Sequence, residues 1–296
     1  MKTKSRLSLF FVALCCVSAA TAGVQAITLK FKTVDIPAYQ STQIYAINNE
    51  NQGAGIFIDS TGLQHGMIIQ GGKIIVIDDP NAIPGTTICA AVNDHGVAVG
   101  YYTNADNVGV GFEYQDGNFG DVTIPSALYV EVWGINNSGM ITGTYYDPNL
   151  GVWNGFVGSP RNLTSFSVPG AYYTNGYDIN DAGLMTLLVE TSSFGNYSAD
   201  LYNPTTQELT PINVPGATNS YAGRLNNKNQ VIYTWTDSSG NSHGAVRSAA
   251  GKFLTFDDPD GTQTQGWGIN DSDIMVGVFT PSGSAQLQSF VATAQK

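Results

Sequence analysis

Six short stretches of this 296-residue chain repeat one pattern, in which an apolar residue is followed by asparagine and then by asparagine or aspartate. The first asparagine of each stretch recurs every 43 to 46 residues, at Asn48, Asn93, Asn136, Asn180, Asn226 and Asn270. A fixed period of this length indicates that the chain is an array of similar supersecondary units. The repeat constrains the fold more than any other feature of the sequence.

Each repeat can be divided into four strands. In the third repeat, apolar and aromatic residues alternate with small or polar ones over residues 130–136, 140–146, 153–158 and 163–168. This alternation has the period of a β-strand. The position three residues after each repeated asparagine is Gly, Asn or Asp, the residue types that tolerate positive φ in a tight turn. We expect the asparagine side chain to bond the backbone of that turn, which is a structural role.

Six four-stranded units of about 44 residues predict an all-β fold, a six-bladed β-propeller with antiparallel blades. Residues 27–37 have the pattern of a fourth strand with no first three strands before them, whereas residues 266–270, 274–280 and 286–293 supply three strands with no fourth. We therefore expect the N-terminal strand to complete the last blade, which leaves no long unpaired edge. An open β-solenoid and two separate three-unit sheets are the alternatives.

The first 26 residues have the composition of a secretory signal peptide. Lys2, Lys4 and Arg6 form a basic segment before the apolar run of residues 7–20. Small residues then give two cleavage sites, one ending at Ala22 and the other at Ala26. The apolar run is short for a membrane span. We predict export to the periplasm or the extracellular space, with no membrane span after the signal is removed.

Residues 27–296 are predicted to form one domain, because no linker or charge run interrupts the repeats. They carry 9 basic and 23 acidic residues, a net charge of −14, which disfavours binding to nucleic acid and to anionic membrane surfaces. Only Cys89 lies outside the signal, so we expect no internal disulfide. We also expect a monomer without a cofactor.

The repeats resemble the bacterial extracellular HAF-type repeat family, whose units carry a glycine-isoleucine-asparagine-aspartate-x-glycine core and a histidine-small-phenylalanine signature. The core is clearest at residues 134–139, 178–183 and 268–273. The second signature corresponds to residues 65–67, 154–156 and 243–245. The likeness covers nearly all of residues 28–293. It implies an exported repeat protein and supplies no catalytic residues.

Two consecutive repeats depart from the pattern of the others. The position two residues before the repeated asparagine is small in four repeats, but it is Asp178 in the fourth and Arg224 in the fifth. A glycine of the second strand is replaced in the same two repeats by Leu187 and Tyr233, and the apolar position of the third strand is Asp200 in the fourth repeat. This divergence is the strongest asymmetry in the sequence.

Two interpretations of the divergence remain open. Asp178 and Arg224 could form a polar binding site at the mouth of a central channel, flanked by Tyr177, Trp133 and Trp267, since a guanidinium and a carboxylate beside aromatic rings suit a hydroxylated ligand. They could equally form a structural ion pair between neighbouring blades that fills the channel, with the aromatic side chains packed between sheets.

We predict a secreted binding or interaction module whose partner is an extracellular glycan or an envelope protein. The alternative is a polysaccharide-active hydrolase or lyase at the channel mouth near the fourth and fifth blades, in which Asp178 would act with Asp200 or Glu190. A structural component of the envelope is the third possibility. No catalytic residue is assigned, and no metal site is predicted because the three histidines lie in different repeats.

Overall fold

A computed structural model describes residues 29–34, 36, 38–191, 197–284 and 286–294, and the backbone of residues 25–26. Apart from those two residues, the predicted signal peptide lies outside the described part. The described residues contain 25 strands and no helix, so the prediction of an all-β fold is confirmed. Consequently none of them forms a helix that could cross a bilayer.

The strands follow the repeat. Two strands precede the first repeat, β1 (Gln25–Ala26) and β2 (Leu29–Val34). Unit 1 consists of β3 (Ser41–Ile47), β4 (Gly53–Ile58), β5 (Gln64–Gln70) and β6 (Lys73–Ile77). Unit 2 consists of β7 (Ile88–Val92), β8 (Ala98–Thr103), β9 (Gly109–Gln115) and β10 (Asn118–Val122). Unit 3 consists of β11 (Tyr129–Ile135), β12 (Ile141–Asp147), β13 (Val152–Ser159) and β14 (Asn162–Phe166).

The second half of the chain continues in the same way. Unit 4 consists of β15 (Tyr173–Ile179), β16 (Met185–Glu190), β17 (Tyr197–Asn203) and β18 (Glu208–Pro211). Unit 5 consists of β19 (Asn219–Leu225), β20 (Val231–Thr236), β21 (Ser242–Arg247) and β22 (Phe253–Phe256). Unit 6 has three strands from this end of the chain, β23 (Gly261–Ile269), β24 (Met275–Pro281) and β25 (Gln288–Ala294).

The N-terminal strand pairs where the repeat phase predicts. Strand β2 is antiparallel to β25, in register from Leu29 opposite Ala294 to Val34 opposite Ser289, and it completes a four-stranded sheet with unit 6. Strand β1 adds in parallel to the edge of β22 in unit 5.

The units are not six separate sheets. Units 2, 3 and 4 are joined into one 12-stranded sheet. The links are single parallel pairs, Tyr129 with Gly109 and Trp153 with Tyr173. The six first strands (β3, β7, β11, β15, β19 and β23) contact one another in a closed cycle, and the space that they enclose is called the central channel below.

The turns confirm the prediction drawn from their residue types. The residue three positions after each repeated asparagine has a positive φ, at Asn51, Gly96, Gly139, Gly183, Asn229 and Asp273. The backbone N–H of each of these residues donates to the carbonyl oxygen of the repeated asparagine, as in Gly139 to Asn136 at 3.1 Å. The first two strands of every unit are therefore joined by the same turn.

In units 4 and 5, a large side chain of the second strand fills the part of the core that a side chain of the third strand fills in other units. In unit 3, a Cβ atom on Gly143 would lie 2.0 Å from the carbonyl oxygen of Glu131 and 2.7 Å from the ring of Phe156, so the third strand fills the space over the glycine. In unit 4, the fully buried Leu187 of the second strand fills it instead. Leu187 pairs with Gly176 on the first strand and with Asp200 on the third.

Unit 5 makes the same exchange with Tyr233, which is also fully buried and pairs with Ala222 and Ala245. In both units the large side chain is on the second strand instead of the third, and the residues that pair with it are small or short. Because interiors are close-packed, an increase in volume at one position requires a decrease beside it. These two replacements, part of the strongest asymmetry in the sequence, therefore have a packing explanation.

We expect Gly143→Ala to lower the free energy of unfolding by about 1–3 kcal/mol, because the added methyl group would overlap a backbone oxygen that cannot move without disturbing the sheet. The matched control is Gly120→Ala in β10, where an added Cβ would have no neighbour within 4 Å. Urea unfolding followed by fluorescence measures both variants. Equal stability of the two would contradict the packing explanation.

Candidate functional site

The repeated asparagines link each unit to the next. In unit 3, Asn136 Oδ1 accepts from the backbone N–H groups of Ser138 and Met140, at 3.1 and 2.9 Å. Its Nδ2 donates to the carbonyl oxygen of Asn180 in unit 4, at 3.1 Å. The first contact is the structural role that the sequence predicts, whereas the second, between units, was not predicted.

The contact between units recurs around the whole channel. The six Nδ2 donors each bond the carbonyl oxygen of the next repeated asparagine, at 2.9 to 3.2 Å. The last of them joins unit 6 back to unit 1, from Asn270 to Asn48 at 3.0 Å. The six asparagines are at most 6% exposed, so these bonds are made away from bulk water, where an unpaired amide would be costly.

A second ring lies beside the first one. The residue after each repeated asparagine alternates strictly between asparagine and aspartate, in the order Asn49, Asp94, Asn137, Asp181, Asn227 and Asp271. The backbone N–H of each donates to the Oδ1 atom of the next, at 2.8 or 2.9 Å. Each asparagine also uses its amide to bridge two aspartates, as Asn137 does with Asp94 at 2.8 Å and Asp181 at 2.9 Å.

Together the two rings form one end of the channel, the narrow mouth. The cavity there has a volume of about 70 Å³, which suits a few water molecules rather than a ligand. It is lined by the six residue pairs and, deeper in the channel, by Asp178 and Arg224. At the narrow mouth, the two rings of hydrogen bonds therefore close the channel.

Asn137→Asp should destabilise the protein by about 1–3 kcal/mol near neutral pH, because it removes two donated hydrogen bonds and places a carboxylate between Asp94 and Asp181. The repulsion among the three side chains requires that they are ionised. The destabilisation is therefore largest near neutral pH and shrinks in acid, where carboxylates take up protons. Urea unfolding at pH 7 and pH 4 tests this, with the exposed Asn118→Asp as the control. A loss of stability that does not change with pH would contradict the charge argument.

Every first strand carries a β-bulge three residues before its repeated asparagine. In unit 3 the register shifts between Val132 and Gly134, so Trp133 has no partner across the strand pair. The same shift leaves unpaired residues in each of the other first strands, at Tyr45, Ala90, Tyr177, Gly223 with Arg224, and Trp267. A bulge re-aims a side chain and interrupts the ladder of hydrogen bonds. Here the bulges bring the aromatic side chains to the channel and leave backbone carbonyl groups without ladder partners.

Arg224 satisfies three of these carbonyl groups. Its Nε donates to the oxygen of Tyr45 at 2.9 Å, and its two terminal nitrogens donate to those of Trp133 at 2.8 Å and Ala90 at 2.6 Å. Nη1 also donates to Asp178 Oδ1 at 3.2 Å. With only 3% of its surface exposed, Arg224 crosses the channel from unit 5 to units 1, 2, 3 and 4.

Asp178 completes this cluster from unit 4. Its Oδ2 accepts from the backbone N–H of Leu225 at 3.0 Å, and the residue is 6% exposed. Burial raises the pKa of Asp178, while the charge of Arg224 and the backbone donors of Leu225 and Ile179 oppose the rise. The contacts of the pair are those of the structural ion pair, one of the two interpretations left open by the sequence.

Arg224→Met should lower the free energy of unfolding by about 3–5 kcal/mol, because it leaves a buried carboxylate without its cation and three carbonyl groups without donors. The control is Lys228→Met, which removes an exposed ion pair with Asp273 at 3.5 Å and should cost less than about 1 kcal/mol. Thermal and urea unfolding measure both. If Arg224→Met keeps the stability of the wild type, the ion pair is not a structural element.

The other end of the channel is wide and aromatic. Tyr45, Trp133, Tyr177 and Trp267, called the aromatic mouth below, line a cavity of about 490 Å³. Trp133 stacks on Tyr177 with ring centroids 5.3 Å apart and an angle of 17°, and Tyr45 packs on Trp267 at 5.2 Å. The volume is in the range of small-ligand sites.

Unit 5 opens this cavity. Its bulge holds Gly223 where four other units have an aromatic residue, because a Cβ there would lie 2.1 Å from the carbonyl oxygen of Ile232. The remaining lining comes mainly from neutral polar and small residues of units 1, 5 and 6, with Leu188 from unit 4: Gln43, Leu188, Tyr221, Ala222, Thr234, Thr236, Gly240, Ser242 and Gln265. The cavity therefore combines aromatic faces with hydroxyl and amide groups.

The electrostatics of the aromatic mouth are set by burial. Burial raises the pKa values of Tyr45 and Tyr177, so both phenols stay neutral near pH 7. No lining residue is an acid, a lysine, an arginine or a histidine. Glu131 lies beside the lining, and its Oε2 accepts from Trp133 Nε1 at 3.0 Å.

The structure divides the five predicted site residues into two groups. Trp133, Tyr177 and Trp267 line the aromatic mouth, whereas Asp178 and Arg224 line the narrow mouth. One contact connects the groups, since the guanidinium carbon of Arg224 lies 5.5 Å from the centre of the Tyr177 ring. Sequence reasoning missed Tyr45, Gln43, Tyr221 and Gln265. The aromatic column three residues before the repeated asparagine was a visible signal for Tyr45.

The structure places the candidate catalytic and metal-binding groups apart from this cavity. Asp200 is 3% exposed and bonds Ser198 at 2.9 Å, and Glu190 is 5% exposed. His65 stacks on Phe57 and contacts Asp78 and Asp59 at the outer side of unit 1. Within the described ranges, no group of three His, Cys, Asp or Glu side chains is arranged to hold a metal ion.

Comparison with known proteins identifies similar folds but assigns the chain to no family. No family model and no curated protein matches the chain. The putative TolB of Agrobacterium tumefaciens superposes with a TM-score of 0.60 at 11% identity, over 93% of this chain and 100% of that one. TolB of Acinetobacter baumannii gives 0.58 at 9% identity, over 82% of this chain, which spans 63% of the length of that one.

A fungal lectin is similar to the chain as well. The lectin of Aleuria aurantia, described as a six-bladed β-propeller with a novel fucose recognition mode, superposes with a TM-score of 0.50 at 13% identity, over 88% of this chain and 93% of the lectin. At these identities the likeness concerns the fold alone. The chain is therefore an all-β protein whose structural neighbours are β-propellers.

Proposed function

We propose that the six units are the blades of a closed six-bladed propeller. The cycle of first-strand contacts and the amide ring from Asn48 to Asn270 and back support it. The pairing of β2 with β25 supplies the fourth strand of the last blade. In this arrangement the parallel pairs that join units 2, 3 and 4 are contacts between neighbouring blades.

We propose that the protein is a binding module that takes a neutral hydroxylated ligand, of the glycan class, in the aromatic mouth. The observation that carries the proposal is the chemistry of the 490 Å³ cavity, which offers flat aromatic rings on one part of its wall and neutral hydroxyl and amide groups on the rest. Aromatic rings pack on the C–H faces of sugars, while the polar groups bond hydroxyls.

The cavity lining does not favour the hydrolase or lyase alternative. Glycoside hydrolysis in most families uses two carboxyl groups that face the scissile bond, and the lining contains no aspartate or glutamate. At the other end of the channel, Asp178 accepts hydrogen bonds through both carboxylate oxygens, one from Arg224 and one from Leu225. A binding role is therefore the better supported one.

We further propose that the protein is exported and belongs with the HAF-type repeat proteins that its motifs resemble. The basic and apolar pattern of residues 1–20 supports export. Because Gln25–Ala26 pairs with Leu254 and Thr255 of β22, cleavage after Ala22 would retain this strand, whereas cleavage after Ala26 would remove it. N-terminal sequencing of the exported protein distinguishes the two.

Tyr221→Ala should weaken glycan binding about three- to tenfold, since it removes an aromatic wall of the cavity. Tyr172→Ala is the matched control, because the two tyrosines have similar exposure, 38% and 47%, and only Tyr221 lines the cavity. A glycan array on the protein without its signal selects the ligand, and titration of both variants gives the affinities. A loss confined to Tyr172→Ala would move the site to the outer loops.

A further inference from the structure

The carboxylate of Glu131 lies among aromatic side chains and has no cationic partner among the described residues. Glu131 lies two residues before Trp133, and its surroundings include Tyr101 and Tyr173, whose pKa values its charge helps to raise. The carboxylate accepts from Trp133 Nε1 through Oε2. Within the described residues, Glu131 takes part in no ion pair and Oε1 in no hydrogen bond.

The neighbouring first strand also holds an acceptor without a partner in the described part of the chain. At the position equivalent to Glu131 on the next first strand, Asn175 gives its amide N–H to the Tyr173 hydroxyl at 3.1 Å, and its buried Oδ1 has no partner among the described residues. Burial raises the pKa of Glu131, and the indole N–H of Trp133 only partly offsets that. Glu131 is only half-buried and its Oε1 is not among the buried atoms without a partner, so this oxygen is open to a donor from a ligand.

Arg224, whose guanidinium carbon lies 5.5 Å from the centre of the Tyr177 ring, is already engaged. It is paired with Asp178 and held by three carbonyl groups. Trp133 and Tyr177 line the cavity as a stacked pair, and aromatic rings attract organic cations. The donor that Glu131 lacks is therefore one that a ligand in contact with Trp133 would supply.

We propose that the ligand of the aromatic mouth is an amino sugar, a hydroxylated ring that carries a protonated amine, with the amine placed beside Glu131 and the edge of Trp133. The inference rests on the proposed glycan-binding function and specifies its ligand class. The ammonium group donates to Glu131 Oε1 and lies against the indole, while the sugar ring occupies the cavity between Tyr177 and Trp267.

The test compares two probes that differ in the amine. Glucosamine trisaccharide and N-acetylglucosamine trisaccharide are titrated calorimetrically into the protein without its signal, at pH 6 and 0.15 M NaCl, so that long-range attraction to the acidic chain is screened. The wild type should bind the amine form about tenfold more tightly, the ratio expected of one charge-assisted hydrogen bond. Glu131→Gln should abolish this ratio, so that its affinities for the two probes lie within twofold of each other.

Glu208→Gln is the matched control, because it makes the same chemical change at an exposed position of β18, and it should keep the tenfold ratio. An equal fall of the ratio in both variants, or its survival in Glu131→Gln, overturns the proposal. The wild-type ratio tests it even if a variant does not fold. Equal binding of both probes by the wild type overturns the amino sugar and leaves glycan binding intact, whereas binding of neither overturns both.

Discussion

The amide of one asparagine per unit, bonded to a carbonyl group of the next unit, is the interaction on which the rest of the structure depends. It fixes the distance between neighbouring first strands, and six copies of it return to their starting point. Each amide also holds its own turn through Oδ1, so that one side chain sets both the hairpin and its neighbour. A change at one copy therefore acts on two units at once, and the closed cycle transmits the constraint around the channel.

A channel closed in this way has a crowded axis, and its contents follow from that. Small residues occupy the inward position in four units, since a Cβ on Gly134 would lie 2.7 Å from the Cα of Asp178. Asp178 and Arg224 are the two exceptions. Arg224 fills the space that remains and bonds carbonyl groups that the bulges leave without partners, and Asp178 is its ion-pair partner. The bulges thus have two effects, one on each end of the channel. They supply acceptors for Arg224 below and direct Tyr45, Trp133, Tyr177 and Trp267 to the mouth above.

Much of this fold could be predicted from the sequence, because the period, the turn residues and the strand alternation are local patterns. The positive φ values at the turns and the pairing of the N-terminal strand with the end of the chain were both predictable. The bonds between units could not be read in this way, since they depend on which residues of different repeats meet in space. The joining of units 2, 3 and 4 into one sheet depends on two single parallel pairs, and no sequence pattern marks them.

The candidate site could be predicted only in part, for a related reason. Comparing repeats showed that Asp178 and Arg224 were unusual, but not whether they faced solvent or each other. Leu187 and Tyr233 were also unusual, and their replacement of a glycine is compensated by Gly176 and Ala222 on the facing strand. The role of the bulge was hidden because a bulge changes which side chains share a face without changing the residues themselves.

The alternation of asparagine and aspartate at the narrow mouth has a consequence for how such a chain can change its length. Each amide bridges two carboxylates and each carboxylate accepts from two amides, so the ring closes without conflict only when the number of units is even. A gain or loss of a single repeat would place two amides or two carboxylates side by side. Proteins with this ring are therefore expected to grow or shrink by pairs of repeats.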